Sequence, residues 1–134
     1  METEEIANIR IYADDARQLI DALPDQSIDR CFILFPDPWP KRRHHRRRII
    51  SPETLAELAR ILQDGARLRL ASDHREYIRW MLFHTLQEES FEWCAREPSD
   101  WRVRPEDWPP TRYEEKAAQR GESSIYLEFS RRPR

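Results

Sequence analysis

The sequence predicts an α/β domain, a sheet with helices packed on its faces. Three observations carry that expectation. A short apolar run, Arg30-Cys31-Phe32-Ile33-Leu34-Phe35, stops at a proline and reads as a buried strand. Two stretches, 51–62 and 74–86, space their apolar residues at helical intervals. Two more, 67–71 and 124–129, read as strands. Strands that alternate with helical patterns argue a mostly parallel sheet with helices on both faces, closed by terminal strands.

In order, Asn8–Tyr12 alternates polar and apolar like a short strand. Asp14 or Asp15 then caps a helix running to about Leu23, with Ala16, Leu19, Ile20 and Leu23 on one face. Pro24-Asp25 makes a turn before the apolar run. Ser51-Pro52-Glu53 starts a helix, with serine as N-cap, proline at the first helical position and an acid in the first turn. Leu55, Leu58, Ala59 and Leu62 follow, and Asp64-Gly65 is expected to stop that helix. His74 to about Leu86 places Tyr77, Ile78, Met81, Leu82 and Leu86 on a helical face. Residues 97–112 hold Pro98, Pro105, Pro109 and Pro110 with Trp101 and Trp108, a long irregular loop. Those two tryptophans either stack on a ligand or pack the loop onto the body.

Length and composition fit one small domain over residues 1–134, with 39% apolar and 36% charged residues. The net charge of -2 is unevenly placed: Lys41-Arg42-Arg43-His44-His45-Arg46-Arg47-Arg48 carries six full positive charges, which leaves -8 for the rest. A dense cationic patch on an acidic body points to a polyanionic partner. Its alternatives are a solvated face or a localisation signal. Cys31 and Cys94 lie in no metal-type spacing, and the adjacent His44 and His45 are poor joint ligands, so no metal is expected. Two isolated cysteines, no apolar run near the ~20 residues of a membrane span and an acidic N-terminus give a cytoplasmic expectation.

Asp37 follows the buried strand, where open α/β sheets bind their ligands. Pro38 biases Asp37 away from helical geometry, and each proline fixes its own φ, so the carboxylate stands on a stiff loop. Trp39 adds a flat surface on which a planar base can stack. The competing reading is a rigid turn whose tryptophan plugs the core.

Phe35-Pro36-Asp37-Pro38-Trp39-Pro40-Lys41, with Arg43-His44 and Arg47-Arg48 behind it, resembles the signature of the bacterial TrmB family of tRNA (guanine-N7-)-methyltransferases. Later segments arrive in family order. Asp64-Gly65 resembles the turn before a strand; Ser72-Asp73 with Tyr77 resembles a Thr-Asp-x-x-x-Tyr segment. Thr111-Arg112-Tyr113-Glu114, with Lys116 and Gly121, resembles a Thr-x-Tyr-Glu segment and its glycine. Asn8-Ile9-Arg10 and Asp15-Ala16 resemble the strand and Asp-Ala pair ahead of the signature. The family pattern begins earlier, with a glycine-rich loop that holds S-adenosylmethionine (SAM). This sequence has two glycines, Gly65 and Gly121, neither in such a loop, and it has Ala66 and Ser72 where the family has glycine and threonine.

The resemblance implies a partial class I SAM-methyltransferase (Rossmann-like) fold with an antiparallel C-terminal strand, one truncated domain, and methyl transfer from SAM to guanine N7 of tRNA. Guanine N7 carries a lone pair and no proton, so no general base is required; the reaction needs positioning and a negative group near the developing positive charge. By the same resemblance Asp37 is the catalytic carboxylate and, with Asp15, lies at the cofactor. Lys41, Asp73, Thr111, Arg112, Tyr113 and Glu114 contact the substrate nucleotide. Arg42, Arg43, Arg46, Arg47 and Arg48, with His44 and His45, bind RNA phosphates, for which guanidinium geometry is suited. Some of these residues have purely structural alternatives: Asp15 and Asp73 as helix caps, Thr111 and Glu114 as a capping box.

Three functions compete. One is an enzyme fragment that acts with its missing half; another is a tRNA-binding remnant without SAM. The third, an amino-methyltransferase of the Asp-Pro-Pro-Tyr type, shares the strand-end carboxylate but not the basic run. A strand 30–35 lacking its family neighbour exposes an apolar edge. That edge implies a dimer, pairing with the missing half, or residues 8–12 filling the gap.

Overall fold

The computed structural model describes residues 7–108, 112, 115, 116 and 123–134. The elements run α1 (Ala16–Ala22), β1 (Ile28–Leu34), a 3-10 turn (Arg42–Arg47), α2 (Pro52–Ile61), β2 (Leu62–Ser72), α3 (Arg75–Gln87), β3 (Phe91–Trp93), α4 (Ser99–Arg102) and β4 (Ile125–Arg131). The strands form one sheet in the order β1-β2-β4-β3. β1 and β2 are parallel, and β4 is antiparallel to both β2 and β3. Three strands therefore share one direction, and the C-terminal strand is inserted against them.

Local chemistry explains the helix ends. The Asp15 carboxylate accepts from the Arg17 backbone N–H at 3.0 Å and caps α1. The far end of α1 is capped from α2: the Arg60 guanidinium donates to the carbonyls of Ile20 and Leu23 and pairs with Asp25. Ser51 caps α2, its oxygen accepting from the Thr54 N–H at 3.2 Å, with Pro52 in the first turn. The last carbonyls of α2 receive the guanidinia of Arg131 and Arg134, where cations suit the negative end of the helix dipole.

β2 begins directly after α2, so Asp64-Gly65 lies inside a strand instead of ending the helix. Leu62 takes an extended conformation and stops the helix. Gly65, at φ 80°, absorbs the register shift that falls between Ile28 and Arg30 of the β1–β2 pairing. An added Cβ there would meet no atom within 4 Å. The backbone conformation, not space, requires glycine.

The core lies on one face of the sheet. Leu55, Leu58 and Ala59 of α2 and Tyr77 and Met81 of α3 pack with Leu68, Leu70, Leu127 and Phe129 of the strands, and Ile20 of α1 joins them. Helices were expected on both faces; among the described residues α1, α2 and α3 share one. Right-handed crossovers that move the same way across a sheet deposit their helices on one side, and the side changes only where strand order reverses. The other face carries Phe32, Ala71 and Tyr126, covered by Trp108. Trp108 is 3% exposed, so it packs the loop onto the body. Arg69 reinforces this, its guanidinium 5.4 Å from the Trp108 ring centroid and 2.7 Å from the Asp107 carboxylate.

Two further expectations change. Residues 8–12 form no strand and do not fill the edge beside β1; Ile9, Ile11 and Tyr12 are exposed. Alternation alone does not make a strand without a partner to complete its hydrogen bonds. The short β3 was not expected; Phe91 and Trp93 do alternate around Glu92, but three residues give little periodicity.

Candidate functional site

The site begins where β1 ends. The Phe35 N–H donates to the Ala71 carbonyl at 2.8 Å, which extends the β1–β2 pairing by one bond. Phe35 then turns the chain with φ 52°, and Trp39 adopts φ 42°. Both are non-glycine residues in the left-handed region, and Trp39 also precedes a proline, which favours extended geometry. Such conformations persist when surrounding contacts over-determine them.

At Trp39, Arg48 supplies such contacts. It is completely buried. Its Nε donates to the Pro38 carbonyl at 2.8 Å, and one terminal nitrogen reaches the Trp39 carbonyl at 3.5 Å. Both terminal nitrogens donate to the Glu76 carboxylate of α3, at 2.9 and 2.5 Å. The guanidinium plane lies 4.8 Å from the Tyr77 ring centroid and 4.6 Å from that of Trp80. Its hydrogen bonds to Glu76 hold that carboxyl below its ordinary range.

This corrects the expectation that Arg48 binds RNA phosphate: a fully buried guanidinium committed to Pro38, Trp39 and Glu76 has none of its surface at solvent. His45 also turns inward, its ring 5.1 Å from Trp80 and its Nε2 3.6 Å from Glu76. Arg42, Arg43, Arg46 and Arg47 remain exposed. Arg47 lies over the Trp39 ring at 5.1 Å, and His44 meets the same ring edge-on at 5.9 Å. Trp39 is thus half-buried within the turn that follows it. Lys41, exposed, opens the turn, its carbonyl accepting from the His44 N–H.

Asp37 is exposed at the centre of this loop. Burial pushes the Tyr77 phenol up, and the Asp37 charge acts in the same direction. Asp73 leaves the parallel neighbour β2 at the same edge, since Leu34 pairs with Ala71. The helix cap there is His74, whose Nδ1 accepts from the Tyr77 N–H at 3.2 Å. Asp73 is therefore not the α3 N-cap. Asp15 does cap a helix, and is exposed. Arg112 is exposed, while Thr111, Tyr113 and Glu114 lie outside the described residues. Among the described residues no cluster of three or more His, Cys, Asp or Glu side chains is placed to hold a metal ion. No described helix is long and apolar enough to cross a membrane.

Sequence reasoning missed Arg48 and Glu76 as the brace of this loop. The signal lay in the three-residue period of a 3-10 turn, which puts His45 and Arg48 on one face.

The chain is a mixed α/β sheet with a carboxylate on a stiff loop beyond a strand end. A Thermus thermophilus protein described as a "Putative DNA Modification Methylase" shares that fold. One structure of it matches with a TM-score of 0.54 and 14% identity, over 90% of this chain and 51% of the other. Another structure of that protein, complexed with SAM, matches with a TM-score of 0.51. The chain belongs to the family described as "Putative methyltransferase" (Methyltransf_4), whose model matches residues 1–127. A tRNA (guanine-N(7)-)-methyltransferase of Rhodospirillum rubrum is 54% identical over 129 residues, 96% of this chain and 51% of the relative. The Agrobacterium fabrum protein of the same name is 48% identical over 128 residues, 96% of this chain and 55% of the relative. The chain thus spans about half the length of the curated relatives it matches.

Proposed function

We propose that this chain forms the guanine-holding, RNA-contacting half of a SAM-dependent tRNA (guanine-N7-)-methyltransferase. The observation that carries this reading is the Asp37 loop, an exposed carboxylate on a backbone braced by Arg48 and followed by a turn of exposed arginines. Asp37 accepts hydrogen bonds from the N1 and N2 edge of guanine and brings a negative charge beside the ring as N7 becomes cationic. Lys41, Asp73 and the 111–114 segment position the substrate nucleotide. Arg42, Arg43, Arg46 and Arg47 fix the RNA through phosphates, a sequence-independent contribution that weakens with salt.

SAM, when bound, supplies the electrophilic methyl group. Asp37 and Asp15 suit the rim of its site. A glycine-rich cradle is not built from the described residues: Gly65 sits in the β2 bulge and not in a strand-to-helix turn. The same observation favours a second reading, an RNA-binding module that holds no SAM by itself. The two separate when the chain is mixed with the segment of the Rhodospirillum rubrum relative that it does not match. Tritium transfer from labelled SAM to tRNA supports the first; tRNA binding without transfer leaves the second.

The free edge of β1 belongs to this proposal. Among the described residues β1 pairs only with β2, and Leu34 on it is 36% exposed. Unpaired strand edges invite another chain. A dimer, or a complex with the complementary segment, is expected in sedimentation velocity; a monomer under both conditions contradicts it. Action on tRNA makes a cytoplasmic location the expectation.

A further inference from the structure

A second concavity opens at the same edge of the sheet, beside Asp73. It has a volume of about 530 Å³ and is lined by Arg75, Ile78 and Arg79 of α3, Trp101 and Arg102 of α4, and Ile125 at the start of β4. That volume lies within the ~300–1,000 Å³ usual for ligand sites. Ile78, Trp101 and Ile125 are half-buried and join the edge of the core, while the three arginines are exposed. Arg75 and Arg79 are one helical turn apart and share a face of α3. Among the described residues no carboxylate pairs with any of the three; Glu76, next in sequence to Arg75, is turned to Arg48.

We propose that this groove holds an RNA nucleotide other than the methylated one, its phosphate on Arg75, Arg79 and Arg102 and its base over the Ile78–Trp101–Ile125 floor. Cationic walls over an apolar floor with an indole are the chemistry that takes an unpaired nucleotide, since every base has a flat face to stack and every link a phosphate. Asp73 on the same wall, placed above at the substrate nucleotide, marks where that site ends and the groove begins. The placement matters as well. Asp37 and Asp73 leave parallel neighbouring strands at one edge, so a strand of RNA crossing from the basic turn passes both before reaching the groove.

The inference rests on the RNA-binding reading above, and the test separates the two. Fluorescence anisotropy with labelled tRNA compares the whole chain with two variants across a salt series. One is Arg75→Ala/Arg79→Ala/Arg102→Ala, the other Arg42→Ala/Arg43→Ala/Arg46→Ala/Arg47→Ala. The groove variant is expected to lose about tenfold or more in affinity and about two to three units of log–log salt slope, with an unchanged melting temperature because its arginines are exposed. Wild-type affinity and slope in the groove variant, with the basic-turn variant weakened, overturns the groove and leaves RNA binding standing. No tRNA binding by the wild-type chain overturns both. Labelled pentauridylate tests the floor: weaker competition by inorganic phosphate than by unlabelled pentauridylate supports base stacking, and equal competition at matched phosphate concentration overturns it.

Discussion

Arg48 and Glu76, 28 residues apart in sequence, join through two hydrogen bonds of 2.9 and 2.5 Å and tie the loop that carries Asp37 to helix α3. The arginine is buried and the carboxylate about half exposed. One guanidinium thereby satisfies the carbonyl of Pro38, reaches that of Trp39 and stacks on two aromatic rings. The strained backbone at Trp39 has its explanation in that brace.

Removing the brace should cost stability more than removing any other arginine of the run. Arg48→Ala deletes a buried charge and leaves the Pro38 and Trp39 carbonyls unpaired, a loss of about 3 kcal/mol. Glu76→Gln leaves the buried guanidinium without its counter-ion and should cost about 1–3 kcal/mol, because Glu76 is partly solvated. Arg43→Ala and Arg46→Ala should stay within about 0.5 kcal/mol of wild type. Urea unfolding measures all four, and equal midpoints for Arg48→Ala and Arg46→Ala would refute the brace.

The same pair sets an acid limit. Arg48 holds the folded-state pKa of Glu76 below the ordinary glutamate value of 4.5. A depressed carboxylate pKa contributes stability that is present above the unfolded value and lost as pH falls through the folded one. Stability should therefore fall below about pH 4.5. Asp64, Asp100 and Asp107 are also depressed by their partners and share in that loss. Glu76→Gln should flatten the acid limb measurably; an unchanged limb argues that the ion pair does not form in solution.

For RNA binding, the run divides in two. Replacing Arg42, Arg43, Arg46 and Arg47 by alanine should lower tRNA affinity by about tenfold or more and make it less salt-dependent. Arg48→Lys keeps the charge but loses the fork that reaches Pro38 and Glu76 together. It should alter loop stability while leaving the salt slope of tRNA binding unchanged. A reduced slope in Arg48→Lys would return Arg48 to the phosphate-binding set.

Calorimetry of the chain with SAM alone should show dissociation weaker than micromolar, since the proposed SAM site draws only its rim, Asp15 and Asp37, from the described residues, which build no glycine cradle. Micromolar binding would show that the chain completes the site by other means.

Much of this was legible because its causes are local. Ser51 and Pro52 announce the start of α2, Asp15 caps α1, and the apolar run from Cys31 to Leu34 does form a strand, β1, although as a half-buried edge strand and not a buried one. The Asp37 loop stands out because prolines constrain it on either side. What was hidden depends on distant partners. A row of like charges does not say which member turns inward; that is decided by Glu76, Tyr77 and Trp80, whose positions follow from the β1–α2–β2–α3 crossover. Residues 8–12 alternate as a strand would, yet no edge receives them in the described fold. Asp64-Gly65 carries a helix-stop signal, but Leu62 had already turned into β2, and the glycine serves a bulge. Trp108 and Trp101 looked alike in sequence and part company in space, one buried on the sheet and the other on the floor of a groove.

The most direct test of the account is methyl transfer by the chain supplemented with the unmatched segment of the Rhodospirillum rubrum relative, comparing wild type with Asp37→Ala and mapping the labelled base. Wild type should deposit the methyl group on guanine N7 of tRNA, and Asp37→Ala should lose about 100-fold or more in rate while keeping most of its tRNA affinity, which rests on the phosphate contacts. Near-normal N7 methylation by Asp37→Ala would contradict the role assigned to this loop.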